Sequence, residues 1–476
     1  MSYARGTKPK VLMLGWEYPP RFAGGLGKAC QGFSEALARQ GADVLFVLPT
    51  FQTPIREESL QVIGADSDPE SLAAAGTSAS AGRGLTLPSG LSFLSANVQL
   101  YPYGAHPRGP APESLFRPFG RDALETMATT GTSGSGSGSS GSGPTLPRGQ
   151  ASDIYGRNLW SEIERFQDFA RELAGRHQVD VVHAHDWMTF PAAFEFARLA
   201  KVPVFLHVHA TEYDRSGEHA RGPVYDVERE GFRKADHIFT VSRYTAEVIE
   251  RFYQVDRRKV SVLYNAPERR PAAPAPSRAV TKSSSREKNV VFVGRLTFPK
   301  GPDHLLKAAA LVTQRDPDVR FIFCGTGDLL PRLKQDAVWM GIEKQVRFTG
   351  FMEPSAVEKL LSGARVLVMP SVSEPFGLAA LEAIDSGTPV ILSKQSGVRE
   401  VLHRSLQVDF WDHEKLADQM FAALRLKELS SQLVDEGRAQ VDALSWDNSA
   451  RGAMMAYGRH LQSNRPVHRE TPRGTH

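Results

Sequence analysis

Residues 373–390 read SEPFGLAALEAIDSGTPV, setting two carboxylates, Glu374 and Glu382, on either side of a short apolar run. Two glutamates so placed can form an acid/base pair, a helix cap with a salt bridge, or a site for a polar ligand. Gly377 and Leu378 open a helical pattern that ends at Ser386–Gly387, ahead of Pro389. Unpaired backbone N–H groups at a helix start favour a phosphate, and glycine lets it approach closely. At about 1.5 Å rise per residue, Glu382 lies about 7 Å along that helix from Gly377, a phosphate-to-ribose separation. Its carboxylate can accept hydrogen bonds from two ribose hydroxyls. Glu374, in the loop before the helix, then points to whatever lies beyond the phosphates, which in a nucleotide sugar is the sugar ring.

A second candidate is GRLTFPKG, where Arg295 and Lys300 follow an apolar strand. A planar guanidinium and a movable ammonium on one loop can hold opposite sides of a diphosphate. In isolation the same loop reads as two solvated surface cations; its place at the strand ends of an inferred cleft favours the first reading. Near the N-terminus, PPRFAGGLGKA puts Gly24, Gly25 and Gly27 between a strand and a helix. That turn lacks the G-x-G-x-x-G fingerprint, and the next strand ends FVLPTF without an acidic residue for a cofactor ribose, which disfavours a nicotinamide oxidoreductase. Histidines end or follow two strands: His183 and His185 in VVHAHDW, and His209 in FLHVHATEYDRSG. A strand-end histidine at a cleft is either a hydrogen-bonding ligand or structural. A metal centre at HAHD is not expected, on the ground that alternate strand residues face opposite sides and no third ligand cluster is evident.

These residues need elements to hold them. Leu26, Cys30, Phe33 and Leu37 recur with helical period after KVLML, and ADVLFVLP follows as a second buried strand. Strand, glycine turn, helix, strand opens a parallel α/β sheet, whose ligands sit beyond the carboxyl ends of its strands. From residue 155 a helical face (Leu159, Ile163, Phe166, Ala170, Leu173) leads into the strands VDVVHAHDW, VPVFLHVHA, ADHIFTVS and KVSVLYN. A second set follows: NVVFVG, VRFIFCG, QVRFTG, RVLVMP and PVILS. Between the sets, APERRPAAPAPSRAVTKSSSREK has the composition of an interdomain connection. Residues 53–150, with GTSGSGSGSSGSGP, have too little apolar content for a core and are expected to be a partly disordered insertion with an ordered piece around LSFLSANVQLYPYG.

The 476 residues suit two to three domains. A net charge of +4 is too small and dispersed to call for nucleic acid as a partner. Cys30 and Cys324 read as buried free thiols of a reducing compartment. No leader pattern is visible and no apolar run reaches the roughly 18 residues of a membrane span, so a cytoplasmic location without an integral membrane segment is expected.

Taken in order, WEYPPRFAGGLGKA, VVHAHDWMT, HVHATEYDRSG, GRLTFPKG and SEPFGLAALE resemble the family 4 retaining glycosyltransferases of GT-B fold, and among them the bacterial and archaeal glycogen synthase-like proteins. The last motif is that family's Glu, seven residues, Glu signature. The resemblance implies an α/β chain with two Rossmann-like domains facing each other across a cleft: an acceptor domain over 1–270 and a nucleotide-sugar donor domain over 286–445. A C-terminal helix over 446–462 is expected to pack on the first domain, with a disordered tail over 463–476. It further implies retaining transfer of a sugar, glucose in the glycogen synthase-like case, from an ADP-, UDP- or GDP-linked donor to a glucan or other carbohydrate hydroxyl, with no required cofactor or metal. Arg295 and Lys300 would neutralise the departing diphosphate, Glu382 would hold the ribose and Glu374 the sugar hydroxyls. His209 would contact the sugar near the reaction centre, and Gly24 and Gly25 would let the first domain's backbone approach the phosphates at Gly377 and Leu378. One departure concerns the donor base: enzymes using ADP-glucose typically carry lysine two residues before the paired glycines, where this chain has Phe22 beside Arg21. Two other readings stay open, a non-catalytic nucleotide-sugar-binding protein and another GT-B enzyme such as an epimerase or a phosphorylase. The latter usually needs a lysine-bound pyridoxal cofactor, for which no convincing site is visible.

Overall fold

The computed structural model describes residues 8–19, 24–48, 62–64, 91–95, 159–268 and 288–463. The remainder of the expected insertion, the connection over 269–287, Arg21, Phe22 and the tail lie outside the described residues.

Two parallel sheets organise the chain. In the first, β1 (Lys10–Leu14), β2 (Asp43–Leu48), β3 (Val62–Gly64), β4 (Leu91–Ser95), β5 (Val181–His185), β6 (Val204–Val208), β7 (His237–Thr240) and β8 (Val260–Val262) take the order β3-β4-β2-β1-β5-β6-β7-β8. In the second, β9 (Asn289–Val293), β10 (Arg320–Cys324), β11 (Val346–Gly350), β12 (Val366–Met369), β13 (Val390–Ser393) and β14 (Leu406–Val408) run β11-β10-β9-β12-β13-β14. Val11–Leu14 are wholly buried and β5, β6 and β12 are buried throughout, as expected of parallel strands covered on both faces. That is why β1 and β12 read as continuous apolar runs rather than alternating ones, while β5 and β6 interrupt theirs only with His183, His185 and His207.

Each sheet reverses its strand order beside its first strand, between β1 and β5 in one and between β9 and β12 in the other. The crevice outside the strand ends at such a reversal is where open α/β sheets bind ligands. The loops that follow β1, β5, β9 and β12 therefore carry the functional candidates.

One face of the second sheet (Val291, Leu367, Met369, Leu392) belongs to the same apolar core as the first sheet, through Phe376, Ala380 and Val398. Its other face (Val290, Phe292, Phe321, Val366, Val368) closes against the Pro302–Arg315 and His413–Arg425 helices through Leu305, Leu306, Leu416 and Met420. Alternate side chains of one strand thus serve two cores.

Polar contacts register the sheets against each other. Glu400 accepts from the N–H groups of Arg243 (2.8 Å) and Tyr244 (2.7 Å) at the start of the Arg243–Tyr253 helix, and the Ser242 hydroxyl donates to the Pro375 carbonyl (2.6 Å). The Trp446–Ser463 helix crosses back to the first sheet, with Trp446 lying so close to Gly32 that a Cβ there would sit 2.4 Å from its Nε1. The Ser449 hydroxyl on that helix donates to the Tyr264 carbonyl (2.6 Å). No helix of the described residues is long and apolar enough to cross a membrane. Cys30 and Cys324 are buried and unbonded to each other.

Candidate active site

The loop after β9 turns at Gly294 and carries Arg295 outward, then folds into a one-turn helix over Phe298–Lys300 that ends at Gly301. Gly301 has φ +63°, and a Cβ on it would lie 2.1 Å from the Pro370 carbonyl oxygen. Only glycine allows this close approach. The Pro299 carbonyl accepts from the N–H groups of Val372 (2.9 Å) and Ser373 (3.2 Å), so the loops after β9 and β12 are stitched together. As a result the Lys300 ammonium lies 2.7 Å from Glu374, whose side chain is almost wholly buried.

Beyond Glu374, Gly377 (φ +113°) precedes the Leu378–Asp385 helix, whose first turn has no side-chain cap. Close by lies a second helix start, Gly25–Arg39 after Gly24, whose N-cap glycine also offers no side-chain cap, although the Glu17 carboxylate takes one of its first-turn N–H groups. The gap is narrow: a Cβ on Gly25 would be 3.8 Å from the Leu378 side chain. Two positive helix ends therefore lie beside one another, and first-turn N–H groups that Glu17 does not take suit anionic oxygens in the crevice between them. Further along, the Lys28 ammonium and Glu382 carboxylate, 2.5 Å apart and each about one-third exposed, join the two helices.

Glu17, which the sequence reading did not single out, sits behind this crevice. The Gly27 N–H donates to its Oε2 (3.0 Å), and burial raises its pKa to about 7 although that hydrogen bond and the Arg295 charge act the other way. Asp186, also missed, has φ +58° at the end of β5 and accepts from the backbone N–H groups of His209 (2.7 Å) and Ala210 (3.4 Å). Burial raises its pKa to about 7 as well. Asp214 accepts from the Ser373 hydroxyl (2.5 Å), tying the segment after His209 to the residue before Glu374. The only local signal for Glu17 and Asp186 was an acidic residue just past an apolar strand.

The ground given for dismissing HAHD does not hold. His183 and His185 are two residues apart, so the strand period of two puts them on the same face, and His207 on neighbouring β6 joins them with ligand atoms all within 4.8 Å. The arrangement nevertheless suits hydrogen bonding better than a cation. The His185 and His207 rings are stacked (centroids 5.1 Å apart, 27° between planes), so their in-plane lone pairs run side by side instead of converging. His183 uses both nitrogens, Nδ1 with the Tyr457 hydroxyl (2.6 Å) and Nε2 with His207 Nδ1 (3.2 Å). His209 completes the stack, its Nε2 2.9 Å from His185 Nδ1.

Burial holds all four imidazoles below the usual 6.5, with His209 down to about 3. Folding excludes their protons, so the stability they contribute is present above about pH 6.5 and declines as the pH falls. Glu17, Asp186 and Glu228 behave oppositely. Burial raises the last to about 8, so these carboxyls hold protons in the folded chain, and their stabilising contribution, full below about pH 4, is lost progressively as the pH rises through about 7 to 8. A thermal midpoint with a broad maximum near about pH 6 to 6.5 is therefore expected. A midpoint flat from pH 5 to 9 in a calorimetric series would contradict it.

Comparisons with known proteins bear on this geometry. Three family models match successive parts of the chain: the starch synthase catalytic domain at 10–99, the glycosyl transferase 4-like domain at 127–266 and glycosyl transferases group 1 at 275–440. The chain is 24% identical to an uncharacterized glycosyltransferase of Methanocaldococcus jannaschii over 94% of this chain and 97% of that one. It is 25% identical to a glycogen synthase of Mycobacterium tuberculosis over 83% and 80%. Among solved structures, a sucrose-phosphate synthase from Thermosynechococcus elongatus superposes with a TM-score of 0.64 at 17% identity, covering 96% of this chain and all of that one.

Proposed function

Because the chain belongs to the GT-B glycosyltransferases of glycogen synthase type, we propose that it moves a hexosyl group, glucose in the first instance, from a nucleoside diphosphate sugar to a carbohydrate hydroxyl with retention at the anomeric carbon. The observation that carries this reading is the close approach of two glycine-led helix starts, Gly25–Arg39 and Leu378–Asp385, flanked by the Lys300–Glu374 and Lys28–Glu382 pairs. A diphosphate at Gly377 and Leu378 would have Arg295 and Lys300 beside it, and Gly24 and Gly25 would bring the facing backbone to the same oxygens. Glu382 would take the ribose hydroxyls, Glu374 the hydroxyls of the donor sugar, and His209 a sugar oxygen near the reacting carbon.

In this scheme the bond from the anomeric carbon to the phosphate oxygen breaks and a bond to the acceptor oxygen forms on the same face. The acceptor proton passes to the departing phosphate. Charge collects on the diphosphate as it leaves, and fixed positive groups aimed at it stabilise the transition state more than the ground state. The buried neutral histidines are poorly suited to act as the base, which agrees with the leaving group taking that proton.

A panel of ADP-, UDP- and GDP-sugars with glycogen, short glucans or no acceptor tests the proposal through nucleotide release and product anomer. Release from one donor, dependent on a glucan and yielding the donor's anomeric configuration, is expected. Binding of a nucleotide sugar with no release under any acceptor would favour the non-catalytic reading instead.

A further inference from the structure

The buried histidine stack has a hydrogen-bond pattern that constrains where the protons lie. His185 Nδ1 meets His209 Nε2, while His185 Nε2 is buried without a partner. A neutral imidazole carries one N–H, and the two tautomers of His185 are not equivalent here. With the proton on Nε2, a buried donor would have no acceptor, the kind of orphan that folded proteins seldom keep. With the proton on Nδ1, the N–H donates to His209 Nε2 and only a bare lone pair is left at His185 Nε2. His209 Nε2 is then an acceptor, and its one proton must sit on Nδ1.

From this geometry we propose that His185 is a positioning residue that fixes the tautomer of His209, so that His209 offers an Nδ1–H donor, never an acceptor, to an oxygen of the bound sugar. Two further contacts hold His209 in place, one on its backbone and one on its ring. Asp186 Oδ1 accepts from the His209 backbone N–H, and the His209 ring stacks on His207 (centroids 4.5 Å, 26° between planes). His207 is itself held through His183 to the Tyr457 hydroxyl on the Trp446–Ser463 helix. Burial keeps both rings of the pair neutral, the state in which tautomer choice has meaning. A sugar oxygen facing such a donor is recognised as an acceptor. A deoxy analogue at that position loses the contact, and a substrate group that can only donate is rejected. The recognition part of this proposal rests on His209 facing the donor sugar; the tautomer part does not.

The test is a long-range nitrogen–proton correlation spectrum of the ligand-free full chain with 15N-labelled histidine, His209 being assigned by the signals lost in His209→Ala. His209 protonated at Nδ1 and His185 protonated at Nδ1 are the expected result. His209 protonated at Nε2 overturns the proposal without any variant of His185 having to fold. In His185→Phe the His209 signals should shift to a mixture of tautomers and kcat should fall about tenfold, with a smaller change in KM. His185→Gln, whose amide can still donate to Nε2, should restore the Nδ1–H form and recover most of the loss. A His209 spectrum unchanged in His185→Phe refutes the positioning role. Failure of every donor in the transfer assay would sink the enzymatic reading, while the spectrum of the ligand-free chain would still decide the tautomer independently.

Discussion

Lys300→Ala is expected to lower turnover by at least tenfold, about 1.4 kcal/mol of lost transition-state stabilisation, in steady-state assays with the donor that the chain accepts. Two effects act in the same direction. The ammonium is a positive group aimed at the proposed diphosphate, and its removal also leaves Glu374 without the cation 2.7 Å away. The Glu374 side chain is 8% exposed, so its charge is poorly screened by water and would repel an incoming phosphate. Glu374→Gln in the Lys300→Ala background should therefore recover part of the lost donor affinity even though it removes a proposed sugar contact. The sign of that coupling separates electrostatic steering from loss of a single contact. Wild-type turnover in Lys300→Ala would remove the phosphate role from this loop.

Gly301→Ala should be a severely damaging single-methyl change at the site, costing about 3 kcal/mol in a denaturant titration. The left-handed conformation at φ +63° and ψ 36° accounts for about 1–2 kcal/mol with any L side chain. The remainder comes from overlap with a backbone carbonyl that cannot rotate away as a side chain can, since Cβ would lie 2.1 Å from the Pro370 oxygen. Gly341 provides the control. Its φ is +67° but nothing lies within 4 Å of a Cβ there, so Gly341→Ala should show the conformational part alone. Equal midpoints for the two variants would mean that the loops after β9 and β12 separate easily. Because the same contact seats Lys300 against Glu374, Gly301→Ala should also lose activity at temperatures where it remains folded.

Much of the architecture was legible before any contact was known. Parallel strands covered on both sides favour near-continuous apolar runs, so β1, β9 and β12, and β5 and β6 despite their histidines, were readable as strands. The 3.6-residue recurrence of Leu26, Cys30, Phe33 and Leu37 marked the Gly25–Arg39 helix. Two strands, β3 and β14, escaped notice: each is three residues long, too short to show a period, and their place comes from pairing with β4 and β13. At the site, Arg295, Lys300, Glu374, Glu382 and His209 drew attention as polar groups just past apolar strands or within the turn of a glycine-started helix. Glu17, Lys28 and Asp186 look like ordinary surface residues in the sequence because their importance comes from distant partners. The misjudged histidines had a different cause. The face shared by His183 and His185 was available from the strand period alone, but the third and fourth rings needed the register that pairs His185 with His207.

By itself, then, the sequence determined the elements, the glycines that permit left-handed turns, and the kinds of charge waiting at the strand ends. These follow from backbone sterics and burial periodicity, which act over a few neighbouring residues. Only the tertiary structure decided which charges meet. Lys28 and Glu382 stand 354 residues apart in the chain, and Lys300 and Glu374 stand 74 apart. Their pairing depends on two sheets reversing their strand order beside β1 and β9 and on glycines that let backbones approach within contact distance. Hydrogen-bond partners are selected by separations of a few tenths of an ångström, and those separations exist only after every strand has taken its place.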